Sequence, residues 1–181
     1  MTDDGGVWVK IDGGGEPDAG GLVHINTTTF SAVSSVSIDN VFTSTYDNYR
    51  LVMSLAGSSA ASNGAYIRLR SSSSDAVTNY LATILYINSS YVSADMTTQF
   101  NLGAIGNWTA VISLDISSPF LTAPTNINGL CGGITSDYHT GFFGGQHTAS
   151  TSYDGFTAFT DAVGSNVITG TIRVYGYRNG A

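Results

Sequence analysis

The chain has 181 residues, which is enough for one domain with a substantial hydrophobic core. Only 10% of its residues are charged, against about 25% in an average soluble protein, and it has one lysine (Lys10) and one glutamate (Glu16). Because these two residue types normally coat solvated helices, the composition excludes a protein built from long amphipathic helices.

The formal net charge of −7 repels phosphate backbones and anionic lipid surfaces, so we expect no nucleic-acid partner. No stretch approaches the roughly 18 apolar residues of a membrane span, and the N-terminus lacks the basic and apolar segments of a signal peptide. We therefore expect no membrane association and no export by the general secretory route. Cys131 is the only cysteine and lies among small and apolar residues, which predicts a buried, inert thiol.

Residues 1–21 form a glycine-rich segment around one short β-like run, which consists of Val7, Trp8, Val9, Lys10 and Ile11. A short strand on glycine tethers buries little by itself, but it can add to the open edge of another sheet. We interpret the segment as an extended N-terminal arm with Val7, Trp8, Val9 and Ile11 as contact residues. The alternative is that this run is the first strand of the domain's own sandwich.

Residues 22–181 are predicted to form one β-sandwich domain. Bulky apolar residues recur at every second position, which indicates strands with one buried face. The predicted strands cover residues 22–30, 33–38, 49–55, 66–70, 110–116, 126–134, 141–146, 155–160 and 167–177. Gly170 and Gly176 within the last strand indicate a bulge or a close backbone approach. About eight to ten strands favour an all-β, two-sheet antiparallel sandwich of the jelly-roll type.

Three segments carry a family resemblance: Gly21–Ile25 with Phe30–Ser35, Phe42–Arg50, and Thr171–Tyr177. Together they resemble virion structural proteins of tailed bacteriophages that infect aquatic bacteria, including cyanobacteria. The resemblance begins at residue 21 and implies a virion component, either a head decoration or cement protein or a fibre domain. It implies no catalytic residues. Independently of it, the tyrosines and the Asp47–Asn48 turn of the middle segment predict a corner that defines the fold.

Candidate chemical sites in the sequence are weak. His139 and His147, with Asp137 nearby, could approach each other across a hairpin, but the spacing is not that of a zinc site. The many serines would permit a Ser-His-Asp triad, but the sequence has no Gly-x-Ser-x-Gly motif. Glycosidase chemistry would need a pair of aspartates, and no feature of the sequence selects such a pair. The acidic residues of the arm lack the alternation of a calcium loop; they are Asp12, Glu16 and Asp18. We therefore predict no enzyme activity, no metal and no cofactor.

Aromatic residues are the better candidates for partner contacts. Five tyrosines lie in or beside loop-like segments, where their rings could stack on sugars or pack against a subunit: Tyr80, Tyr86, Tyr91, Tyr138 and Tyr153. Of these, Tyr91, Tyr138 and Tyr153 are our candidate contacts. Trp108 precedes a strongly alternating strand and is predicted to lie in the core.

These observations favour a phage head decoration or cement protein on the outer surface of the virion. Its expected partners are the major capsid protein or other virion subunits and further copies of itself in a trimer. The alternative is a tail or head fibre domain that binds a host-surface glycan or receptor. A glycan-active enzyme is a remote third possibility.

Overall fold

The protein is described by a computed structural model over residues 21–58, 63–86, 92–94, 98–133, 140–161 and 166–178. Within these ranges the chain forms thirteen β-strands and no helix. In chain order the strands are β1 (Leu22–Val33), β2 (Ser35–Ile38), β3 (Asn48–Gly57), β4 (Asn63–Ser71), β5 (Ser74–Asp75), β6 (Tyr80–Tyr86), β7 (Val92–Ala94), β8 (Phe100–Ile105), β9 (Ala110–Ser117), β10 (Thr125–Gly132), β11 (Thr140–His147), β12 (Gly155–Thr160) and β13 (Ile168–Tyr177).

The strands form two antiparallel sheets. Sheet A has eight strands in the order β1-β13-β3-β9-β10-β11-β6-β7. Sheet B has the order β2-β12-β4-β5, and β8 also pairs with β4. The prediction of an all-β protein with two antiparallel sheets, consistent with a sandwich, is confirmed. The N-terminal run Val7, Trp8, Val9 and Ile11 lies outside the described residues.

Alternation of apolar and polar residues places the core between the sheets. In β3 and β9 every second side chain is buried, as the period of two predicts. These buried positions are Tyr49, Leu51, Met53, Leu55, Ala110, Ile112, Leu114 and Ile116. Burying each large aliphatic side chain contributes about 1.5–3 kcal/mol, so these central strands anchor sheet A.

A corner before β3 ties the two sheets together. Phe42 is fully buried, with its ring centroid 4.7 Å from that of Tyr49 in sheet A and 5.9 Å from that of Phe156 in sheet B. The Tyr49 hydroxyl accepts a hydrogen bond from the main-chain N–H of Thr43 and donates one to its carbonyl oxygen. A corner lies at the segment where the sequence predicts one, but its turn is at Ser44 and Thr45, since Asn48 already begins β3.

The glycines of β13 mark close approaches, as their pattern predicts. A Cβ atom on Gly176 would lie 2.5 Å from the ring of Tyr46, and one on Gly170 would lie 2.1 Å from the carbonyl oxygen of Ser54. The register of β1 against β13 shifts at two places, one opposite Tyr175 and Val174 and one beside Gly170. The Tyr46 ring therefore packs directly against the backbone of β13 at Gly176.

Four strands and one side chain differ from the sequence expectation. The strands without a predicted counterpart are β5, β6, β7 and β8: β5 and β7 have only two and three residues, β6 carries large apolar residues on both faces, and β8 is interrupted at Gly103, whose φ is +118°. Trp108 was predicted in the core, but it is 56% exposed, which corrects that prediction. It lies in the turn between β8 and β9, where no opposing sheet covers it.

Candidate functional site

Tyr153, one of the predicted contact residues, is buried. It is 3% exposed, and its hydroxyl lies 3.1 Å from Nδ1 of His147 inside the core. Because no face of its ring reaches the surface, the prediction of Tyr153 as a partner contact is corrected. The other predicted contacts, Val7, Trp8, Val9, Ile11, Tyr91 and Tyr138, lie outside the described residues.

His147 serves packing in this structure. Its ring centroid is 4.5 Å from that of Tyr80 and 5.1 Å from that of Tyr153, both edge-on. Desolvation by burial lowers the pKa of His147, so the neutral imidazole is favoured. Tyr80 is equally buried, and its hydroxyl accepts a hydrogen bond from the Leu69 amide at 2.9 Å. This group is a satisfied polar cluster inside the core.

The described residues offer no metal site, since no three of their His, Cys, Asp or Glu side chains come together. His139 and Asp137, the sequence partners of His147, are not among the residues described. Cys131 is buried, and its thiol donates to the carbonyl of Ala104 at 3.6 Å. Burial raises the pKa of this thiol to about 11, so a reactive thiolate is disfavoured, as the sequence predicts.

The outer face of sheet A is the first candidate surface. One cross-strand row crosses seven strands of this face, from β1 to β6. Its members, in spatial order, are His24, Tyr175, Arg50, Asp115, Asn128, Gly144 and Thr83. The row divides into a charged half on β3 and β9 and an uncharged half on β10, β11 and β6.

The charged half is internally neutralised. Arg50 donates two hydrogen bonds to the Asp115 carboxylate, at 2.8 and 2.7 Å, and the Tyr177 hydroxyl donates a third at 2.6 Å. Partial burial raises the pKa of Asp115, but the hydrogen bonds from Arg50 and Tyr177 and the charge of Arg50 outweigh it, and the pKa is lowered. This pair therefore presents little net charge to a ligand.

The uncharged half is a grid of nine outward positions on three strands, which we call the uncharged patch. Direct pairing gives three rows: Leu81, Gln146 and Asn126; Thr83, Gly144 and Asn128; Leu85, Phe142 and Leu130. The four large apolar members are exposed: Phe142 by 55%, Leu81 by 53%, Leu130 by 47% and Leu85 by 45%. A depression of about 400 Å³ lies over Gly144, and the patch residues that line it belong to the first two rows: Leu81, Gln146, Asn126, Thr83 and Gly144.

Sequence reasoning missed the uncharged patch because it looked for tyrosines in loops. A signal was present, however. Phe142 and Phe143 are consecutive in a predicted strand, and neighbours in a strand face opposite sides of the sheet. Phe143 is buried, so Phe142 must face outward.

The edge of sheet A is a second candidate surface. β1 pairs with β13 on one side and is the terminal strand of the sheet as described. Its twelve residues include no Lys, Arg, Asp, Glu or Pro. Such residues normally protect an edge from pairing with another strand. Between its two bulges, residues Asn26–Phe30 keep a regular five-residue register.

No helix among the described residues is long and apolar enough to cross a membrane. Comparison with known proteins provides no assignment: no family model, no curated protein and no solved structure matches the chain significantly.

Proposed function

We propose that the protein is a non-enzymatic structural subunit of a tailed-phage virion, a decoration or cement protein on the outer surface of the head. In this proposal it binds the major capsid protein and associates with copies of itself as a trimer. The resemblance of the Phe42–Arg50 and Thr171–Tyr177 segments to such proteins supports the class.

The observation that carries the proposal is the open edge of β1. An exposed strand edge presents unpaired N–H and C=O groups, and most proteins block it with a charge or a proline. β1 has neither over twelve residues. Strand addition at such an edge takes its affinity from main-chain hydrogen bonds, which suits assembly without a catalytic or cofactor site.

We propose the arm of a neighbouring subunit as the strand that pairs with this edge. The Val7–Ile11 run has five residues, which equals the regular stretch Asn26–Phe30 between the bulges. Residues 12–21 separate it from β1, and ten extended residues span at most roughly 35 Å. That reach allows the arm to extend to an adjacent copy.

The finer fold assignment also belongs to this proposal. We infer a sandwich of the jelly-roll type because the chain alternates between sheets, with β1 and β3 in sheet A and β2 and β4 in sheet B. β13 then returns to lie between β1 and β3. Exchange of an identical element between subunits is a low-cost route to association, and an extended arm in front of the sandwich would permit it.

The test is the copy number and position of the protein in purified particles. A decoration protein is expected in hundreds of copies over the head, whereas a fibre domain is expected in a few copies at one site. A few copies at the tail would overturn the proposal and favour the fibre alternative. Native mass measurement of the free protein tests the trimer.

The edge is tested separately with two lysine variants in a particle-binding assay. Thr27→Lys places a charge on exposed β1 and should weaken binding by about tenfold or more, as should deletion of residues 1–20. Val111→Lys places the same charge on exposed β9, a central strand of the same sheet, and should bind like the wild type. Equal binding by all variants would exclude the edge as the contact.

A further inference from the structure

The uncharged patch has a feature that the fold does not require, which is the glycine at its centre. A Cβ atom on Gly144 would meet only the carbonyl oxygen of Ile127, at an ordinary 3.6 Å, and its φ is not in the left-handed region. The next residue is different, since a Cβ atom on Gly145 would lie 2.5 Å from the carbonyl oxygen of Leu81. Gly145 is required by packing, whereas a side chain at Gly144 would fit without a clash and would occupy the depression.

The two walls of the depression differ in chemistry. On the β6 side the depression is lined by Leu81, which is 53% exposed. The apolar row of Leu85, Phe142 and Leu130 lies beside the depression on the same face and does not line it. An exposed aliphatic side chain such as Leu81 packs against the C–H face of a ligand.

On the other side are side-chain amides with unused hydrogen-bonding groups. Gln146 Nε2 donates to Asn126 Oδ1 at 2.9 Å, which fixes the pair and leaves Gln146 Oε1 as an acceptor and Asn126 Nδ2 as a donor. Thr83 and Asn128, which flank Gly144, make no side-chain hydrogen bonds to other described residues. Donors and acceptors are therefore available on three sides of the depression.

The charge pattern restricts the ligand. None of the nine residues is ionisable, and the net charge of the chain is −7, so nothing here attracts a phosphate, sulfate or carboxylate. The volume of about 400 Å³ lies within the usual range of small-ligand sites, about 300–1,000 Å³. A ring with an apolar face and several neutral hydroxyl groups satisfies both walls.

We propose that the uncharged patch binds one neutral sugar unit of a glycan. The ring packs over Gly144 with its apolar face against Leu81, and its hydroxyl groups bond to Asn126, Gln146 and Thr83. The site does not depend on the assembly proposed above, because four strands of sheet A separate β11 from the β1 edge.

The test begins with the full-length protein on an array that carries neutral, sialylated and sulfated oligosaccharides. Binding to neutral members is expected. The tightest neutral oligosaccharide is then titrated by calorimetry into the wild type and two variants. Gly144→Val fills the depression and should weaken binding by at least about tenfold.

Gly132→Val is the matched control. Gly132 also faces outward on a neighbouring strand, and its nearest atom to a new Cβ would be 3.9 Å away, but it lies outside the patch. Its affinity should stay within about twofold of the wild type. Asn126→Ala and Gln146→Ala alter only surface amides and should each weaken binding, which keeps the test decisive if Gly144→Val fails to fold.

Three results would overturn the proposal. The first is no binding to neutral oligosaccharides, or binding to acidic ones alone. The second is an affinity that Gly144→Val leaves unchanged, or that Gly132→Val lowers equally. The third is a self-associated protein, detected by sedimentation, that Gly144→Val dissociates without any saccharide binding, because the patch would then be a subunit contact. Incorporation of Gly144→Val into particles should equal that of the wild type, which separates this test from the edge proposal.

Discussion

The hydroxyl of Tyr49 donates a hydrogen bond to the carbonyl of Thr43 at 2.9 Å and accepts one from the amide of the same residue at 2.7 Å. One fully buried side chain therefore satisfies both main-chain groups of the corner that joins the sheets. Tyr49→Phe leaves these groups without their partner and should lower the free energy of unfolding by about 1–3 kcal/mol in urea titrations. Tyr46→Phe, in the same corner, removes a hydroxyl with no hydrogen bond to the described residues and should cost less than about 0.5 kcal/mol. If both variants lowered the free energy of unfolding equally, the hydrogen bonds between Tyr49 and Thr43 would contribute nothing specific to stability.

Arg70 is the hub of a polar network on sheet B. Its guanidinium binds Asp39 at 2.7 Å, Asp75, and the Thr157 hydroxyl at 2.9 Å, and it is largely buried. Arg70→Met would leave two carboxylates facing each other without a cation, and we expect a loss of about 3 kcal/mol in the free energy of unfolding.

The control for Arg70→Met is Arg173→Met, because Arg173 is exposed on β13 and makes no ion pair with the described residues. Its effect should be within about 0.5 kcal/mol. A double variant that also carries Asp75→Asn should recover part of the Arg70→Met loss, since it removes one of the two opposed charges. No recovery would mean that repulsion is not the cause.

The buried imidazole of His147 predicts a loss of stability in mild acid. Desolvation holds its pKa below the ordinary value of 6.5. Between these two pKa values the unfolded chain binds more protons than the folded chain, so stability falls as the pH drops through 6.5 and the loss is complete below the folded pKa. Tm measured by circular dichroism should therefore be lower at pH 5.5 than at pH 7.

Two variants separate this effect from other acid effects. His147→Gln should have a lower Tm at pH 7 but a flatter dependence between pH 5.5 and 7. His24→Gln, which changes an exposed histidine, should keep the wild-type slope. If all three proteins had the same slope, His147 would not be the titrating group.

Cys131 should resist thiol reagents while the protein is folded. Its pKa is raised to about 11 by burial, and its Cβ and Sγ pack against Gly103, where an added Cβ would lie only 2.8 Å from that of Cys131. We expect negligible labelling with a chromogenic disulfide reagent at pH 8 and labelling of one thiol per chain in urea. Rapid labelling without denaturant would contradict the buried position.

Most of the fold prediction rests on apolar side chains that recur at every second residue. β3, β9 and β10 follow runs whose buried face alternates, so their existence needed no tertiary information, whereas β12 is buried along nearly its whole length. The fold class follows from these strands and from the scarcity of lysine and glutamate. Strand order did not follow, because pairing β1 with β13 depends on contacts between residues far apart in the chain.

The surface was harder to predict than the core. Leu81 and Leu85 face solvent on β6 and conceal the alternation of this strand, so periodicity alone does not predict it. Tyr80 and Tyr153 are predicted in or beside loop-like segments, yet both hydroxyl groups find partners inside the core. Whether a tyrosine is buried depends on such a partner being available, and local composition does not reveal it.

β13 lies between β1 and β3, so sheet A cannot be completed until β13 has been synthesised. Among the described strands β1 is synthesised before the others, and its partner there, β13, is synthesised last. At roughly 5–20 residues per second, β1 waits on the order of ten seconds or more with a charge-free surface exposed. Nascent chains that stop before β13 should therefore be the aggregation-prone species during expression, and slower growth or a chaperone that covers β1 should raise the yield of soluble protein.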